Sequence, residues 1–205
     1  MTAKAKFSGF PKECIEFFNA LKDNNNKEWF AKNKKNFDKA VMGTARDFVQ
    51  HMGERLRELS PKIMADPRID KSIFRIYRDV RFSKDKSPYK THMGILFWEG
   101  DDPKMECPGF YFHLEPPDIM FGAGMHCFSR QMLQIYRDAV VDPKLGKSLV
   151  KAINEVKKNG DYEIGVKHYK RTPRGYDSDH ENAELLLYNG LTAWRMEKIP
   201  KELNS

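Results

Sequence analysis

Residues 109–126, GFYFHLEPPDIMFGAGMH, decide the fold class. Hydrophobic and polar residues alternate on both sides of Pro116-Pro117-Asp118. That is the pattern of two half-buried strands joined by a tight turn. With Pro116 set opposite Ile119, Leu114 faces Phe121, Phe112 faces Ala123 and Phe110 faces Met125, an apolar face throughout. The other face sets Glu115, His113 and Tyr111 opposite Met120, Gly122 and Gly124, with Gly109 opposite His126. A slip of one residue would mix the two faces, so only one parity fits. Glycine inside a strand weakens it and marks a close approach. A ligand, a packed helix or a bulge would each explain it.

Upstream, Met93–Trp98 (MGILFW) is a short apolar run that suits a strand buried on both faces. Before it lies RIYRDVRFSKDKSPYKTH, residues 75–92. Phe74, Ile76, Val80 and Phe82 fall on one face and Arg75, Tyr77, Asp79 and Arg81 on the other, which predicts a strand over 73–82. Ser83–Pro88 reads as a loop. Alternation points Arg78 to the apolar side. A buried unpaired charge is too costly to persist, so either the strand ends there or a carboxylate such as Asp79 or Asp85 meets it.

Helical patterns flank these strands. Pro11 suits a first turn, with Ile15, Phe18 and Leu21 at helical spacing and Cys14 and Phe17 widening the stripe. Asn24–Asn26 end that helix and cap the next, which runs from Lys27 to about Lys39. Gly43 is expected to break the chain direction before a longer helix to Leu59, with Phe48, Met52 and Leu56 on its stripe. Ser129 caps a helix with Leu133, Tyr136 and Val140, and Asp142-Pro143 opens another that Asn159-Gly160 stops. Short strands at Tyr162–Val166 and Leu191–Met196 and a short helix at Glu181–Leu187 complete the reading. The expectation is a single α+β domain over 1–205. Its mainly antiparallel sheet has strands near 73–82, 93–98, 109–115 and 119–126, packed by N-terminal and C-terminal helices.

The 205 residues, 40% of them hydrophobic, suffice for one core. No run approaches the roughly 20 apolar residues of a membrane helix, and no apolar leader is evident at the N-terminus. Cys14, Cys107 and Cys127 are odd in number and widely spaced, which argues against a disulfide framework and a zinc cluster. A reduced, cytoplasmic protein is expected. The net charge of +7 is localised. Segment 75–92 has six Lys/Arg against two Asp, and Lys167–Tyr176 (KHYKRTPRGY) has four and no acid, so the remainder is close to neutral. Localised cations favour an acidic partner: phosphate, carboxylate or a nucleic-acid backbone.

No P-loop, dinucleotide fingerprint or nucleophile elbow occurs. His113, His126 and Glu115 could make a metal site, but the register does not set the two histidines opposite, and no metal is assigned. The positive case rests on guanidinium groups, which grip phosphate or carboxylate in a bidentate way. The candidate ligand-binding residues are Arg75, Tyr77, Arg78, Asp79, Arg81, Lys84, Lys86, Lys90, Tyr111, His113, Lys170, Arg171 and Arg174. Asp79, Asp85, His92 and His113 are the general-base candidates nearby.

Four segments carry a family resemblance: NNNKEWF (24–30), RDVRFSKDKSPYKTH (78–92), the GFYFHLEPP…FGAG hairpin and YKRTPRGYDSDH (169–180). Together they resemble domain of unknown function family 2461 over nearly the whole chain. The resemblance implies a single α+β domain and carries over no activity, catalytic residue or cofactor. Three readings follow. The first is a small phosphorylated or carboxylated ligand held where segments 75–92, 111–115 and 170–174 converge, in a binding protein or an enzyme. The second is a structural network of Arg78, Arg81, Asp79 and Asp85, buried and mutually bonded. The third is a nucleic-acid module with exposed Tyr89, Tyr169 and Tyr176. The sequence names no substrate and sets no oligomeric state.

Overall fold

The computed structural model describes residues 7–203. The protein is α+β, with five strands in one antiparallel sheet. The strands are β1 (Met93–Trp98), β2 (Pro108–Glu115), β3 (Asp118–Met125), β4 (Glu163–Ile164) and β5 (Leu191–Lys198), in the order β1-β2-β3-β5-β4. The helices are α1 (Lys12–Asp23), α2 (Lys27–Asn36), α3 (Thr44–Leu56), α4 (Arg130–Val141) and α5 (Leu145–Lys158). The chain divides into two compact units, one from 7–98, Tyr111–Phe121 and 196–203, the other from Glu99–Phe110 and Gly122–Arg195.

In the first unit the local signals act as expected. Pro11 precedes α1, whose Cys14, Phe17, Phe18 and Leu21 are buried. Asn26 caps α2 by accepting from the Trp29 N–H at 2.9 Å. The core is aromatic. Phe10 and Phe112 stack with centroids 5.5 Å apart, and Phe48 lies 5.4 Å from Phe10 and 4.8 Å from Phe112. Ile95, Leu114 and Ile119 are also fully buried. Each such side chain contributes roughly 1.5–3 kcal/mol when taken out of water.

In the second unit Ser129 caps α4 by accepting from Met132 N–H at 3.2 Å. The Asp142 carboxylate accepts the Lys144 and Leu145 N–H groups at 2.9 and 2.7 Å and starts α5. Tyr136, Val140 and Leu186 form the buried cluster, with the Tyr136 hydroxyl satisfied by Leu185 O at 3.0 Å.

Several expectations are corrected. Residues 73–82 are not a strand. Phe74 N–H bonds to Gly94 O and Arg78 N–H to Pro88 O, but only isolated bridges form, at Ile69–Ile73, Ile73–Ile95 and Tyr77–Tyr89. Pairing stops at Arg78 because the next acids bind their own backbone. Asp79 Oδ1 accepts Arg81 N–H at 3.2 Å, and Asp85 Oδ1 accepts Ser87 N–H at 2.9 Å. Phe82, expected on an apolar face, is 94% exposed. The hairpin connection is Pro116-Pro117 alone, since β3 already begins at Asp118. Gly43 breaks nothing: a π-helical stretch, Phe37–Gly43, joins α2 to α3. The following helix stops at Leu56, leaving Leu59 exposed, and the last expected helix is a short 3-10 turn at Ala183–Leu187. The close approach at Gly124 is a strand, not a ligand or a helix: a Cβ there would lie 2.2 Å from Leu191 O.

Candidate functional site

Alternation along β2 puts Tyr111, His113 and Glu115 on one face, each half-buried. Their side chains form a row. Tyr111 Oη lies 3.2 Å from His113 Nδ1, and His113 Nε2 lies 3.5 Å from Glu115 Oε2. Glu115 Oε1 accepts from Thr91 Oγ1 at 2.7 Å. Gly94 of β1 leaves the space this row needs, since a Cβ there would fall 2.5 Å from Tyr111 Oη. His92, just before β1, stacks on His113 with centroids 4.3 Å apart. One ligand atom from each of His92, His113 and Glu115 falls within 4.8 Å of the others. A concavity of about 160 Å³ adjoins His113 and Glu115, bounded by Lys22, Pro116, Asp118, Met120 and Met196. The Lys22 ammonium donates to Pro116 O at its rim.

The electrostatics follow from partial burial. Burial, reinforced by His113, pushes His92 down to about 4. Burial also lowers His113, against the pull of Glu115. The 3.5 Å His113–Glu115 contact therefore joins a carboxylate to a neutral imidazole at pH 7, not an ion pair. Burial pushes Glu115 up, but Thr91, His92, His113 and Lys22 outweigh it and leave it below its usual range. Burial raises Tyr111 to about 12.

A pH prediction follows for metal-free protein. His92 has a folded value below its unfolded one, so its contribution is full above pH ~6.5 and is lost as pH falls towards about 4. Allowing for solvent screening, the loss by pH ~4 is about 2 kcal/mol. Urea midpoints measured across that window should fall more steeply for wild type than for His92→Gln. Equal slopes would contradict the assignment.

The basic residues are placed differently. Arg81 forks onto Asp79, Nε at 2.9 Å and Nη2 at 2.6 Å. Arg78 pairs with Asp85 and also donates to Ser87 O at 3.2 Å. The Ser87 hydroxyl and N–H, with Arg78, hold Asp85 far below the usual carboxylate range. These pairs are mutually bonded, as the structural reading expects, but only Arg78 is half-buried, and exposed pairs of this kind add little because water screens them. Lys86 donates to Val80 O at 3.0 Å, and Lys84 is exposed. Tyr77 is exposed, its ring 5.3 Å from that of buried Tyr89. Lys90 is half-buried, its ammonium 5.7 Å from the Phe74 ring, and burial with Arg75 nearby lowers it. Phe74 in turn meets Tyr111 edge-on at 6.1 Å. Lys170, Arg171 and Arg174 are exposed on the second unit, where Tyr176 bonds Asp138 at 2.7 Å.

Glu115, His92, Thr91 and Lys22 are the site residues that sequence reading left out of the ligand set. The metal-capable partner of His113 and Glu115 is His92 and not His126. Alternation puts His92 and Gly94 on one face, but only the adjacency of β1 and β2 brings that face beside Tyr111 and His113.

Fold and site together define an α+β protein with a histidine–carboxylate face on a central hairpin. The chain belongs to the family described as conserved hypothetical protein (DUF2461), which matches residues 13–203. No curated protein and no solved structure matches it. Among the described residues no helix is long and apolar enough to cross a membrane.

Proposed function

We propose that the chain binds a small phosphorylated or carboxylated ligand along the β2 face, with Arg75 and Lys90 as its anion contacts. The observation that carries this is a half-buried lysine whose ammonium lies over the Phe74 ring, with Arg75 near enough to lower it and Asp70 only partly offsetting that. Holding two cations together disfavours charge on both, and an anion relieves that cost. Contacts through Phe74 and Tyr111 link Lys90 to the row that ends in Glu115, which supports this reading. Arg78 and Arg81, occupied by Asp85 and Asp79, are lesser contacts. Lys84 and Lys86 supply longer-range attraction. The exposed Lys170, Arg171 and Arg174 are not required. If a reaction follows binding, His113, neutral and held between Tyr111 and Glu115, is the group placed to move a proton. A reducing, cytoplasmic setting fits three free cysteines.

The test is a thermal-shift panel at moderate salt: phosphate, nucleotides, sugar phosphates, dicarboxylates, and short single-stranded DNA and RNA. A ligand at about 100 times its dissociation constant adds roughly 2.7 kcal/mol. One class of small anion should stabilise the protein, and no shift with any would refute the reading. A second reading rests on Phe82, exposed with the Arg81 guanidinium 5.8 Å over its ring, which suits base stacking. Stabilisation by single strands alone, lost in Phe82→Ala, would select it.

A further inference from the structure

We infer that His92, His113 and Glu115 form a binding site for a divalent first-row transition ion. Their donor atoms lie within 4.8 Å of one another. A tetrahedral ion with bonds of about 2.0–2.1 Å needs donors roughly 3.4 Å apart, so the three close by about 1.4 Å at most. Rotation about side-chain torsions supplies that without moving the strands. Two imidazoles and one carboxylate suit Zn²⁺, Fe²⁺ or Ni²⁺ better than Ca²⁺ or Mg²⁺, which prefer all-oxygen sets. Three protein ligands leave a coordination position open, the pattern of a working site and not of a closed structural one.

The surrounding contacts orient the ligands. Tyr111 Oη at 3.2 Å from His113 Nδ1 leaves Nε2 turned to Glu115. Thr91 takes Glu115 Oε1 and leaves Oε2 for the ion. Outer hydrogen bonds of this kind fix ring orientation and carboxylate direction in metal sites. A polar strand face held together by hydrogen bonds accounts for Tyr111, His113, Glu115 and Thr91. It does not account for His92, which stacks on His113 and makes no protein hydrogen bond among the described residues. Donation of its ring nitrogen to a shared ion does.

This inference stands apart from the anion reading, because ion binding is measured with no anionic ligand present. Tag-free, chelator-treated full chain is titrated with Zn²⁺ by calorimetry and with Co²⁺ by visible absorption. One ion per chain is expected, with a dissociation constant tighter than about 10 µM. His113→Ala and the isosteric Glu115→Gln should each weaken it by about 100-fold or more, and Tyr111→Phe by about 10-fold. His126→Ala should leave it unchanged. Circular dichroism confirms that each variant is folded, and Glu115→Gln keeps shape if His113→Ala does not. Weaker binding by wild type, or stoichiometric binding unmoved by Glu115→Gln, would overturn the site.

Discussion

Gly190→Ala is expected to destabilise the second unit by about 4 kcal/mol or more and to leave little folded protein at 37 °C. The reason is backbone against backbone. A Cβ at Gly190 would stand 2.1 Å from His126 O, 2.6 Å from His126 C and 2.7 Å from Met125 O. None of these is the far end of a flexible side chain, so relief requires the end of β3 and the start of β5 to part. The neighbouring Phe128 N–H to Asn189 O bond, at 2.6 Å, would go with them. Gly175→Ala is the control. Its φ is +91°, but nothing lies within 4 Å of the new methyl, so only the backbone term remains, about 1–2 kcal/mol. Urea denaturation of the two variants separates close approach from conformational preference. Similar losses would contradict the packing described between these strand ends.

Phe10→Ala should cost about 3–5 kcal/mol. Phe10 is fully buried, stacked on Phe112 and tilted against Phe48, and its N–H bonds Leu203 O at 2.7 Å. Truncation leaves a cavity among rings on three segments, which rigid aromatic neighbours cannot collapse to fill. Phe10→Leu retains most of the volume and should lose under about 1.5 kcal/mol. A loss below ~1.5 kcal/mol for Phe10→Ala, measured by urea denaturation, would mean that this aromatic cluster does not hold the first unit.

The sequence made the hairpin legible because period-two alternation is a local property. Tyr111, His113 and Glu115 fall on one face whatever the partner strand. The caps at Asn26, Ser129 and Asp142 were legible for the same reason, each acting within three residues. What was lost depends on neighbours. His92 joins the site because β1 runs beside β2, and no period in the sequence states which strands are adjacent. The alternation at 74–82 misled because Asp79 and Asp85 close local turns that end the pairing, leaving Phe82 in solvent. Asp79 and Asp85 were legible as partners for the arginines, but not which acid meets which: Asp79 takes Arg81 and Asp85 takes Arg78. Arg75 and Lys90 remain after that subtraction.

The most direct measurement is the dissociation constant of the stabilising anion, by calorimetry, in three proteins: wild type, Arg75→Ala/Lys90→Met, and Arg78→Ala/Arg81→Ala. Each charge-assisted contact is worth ~1.5–3 kcal/mol. Loss of the Arg75–Lys90 pair should therefore weaken binding by about 100-fold or more, while loss of Arg78 and Arg81 should change it by less than about 5-fold. The reverse order would contradict the placement of the ligand on the β2 face and move it to the exposed loop.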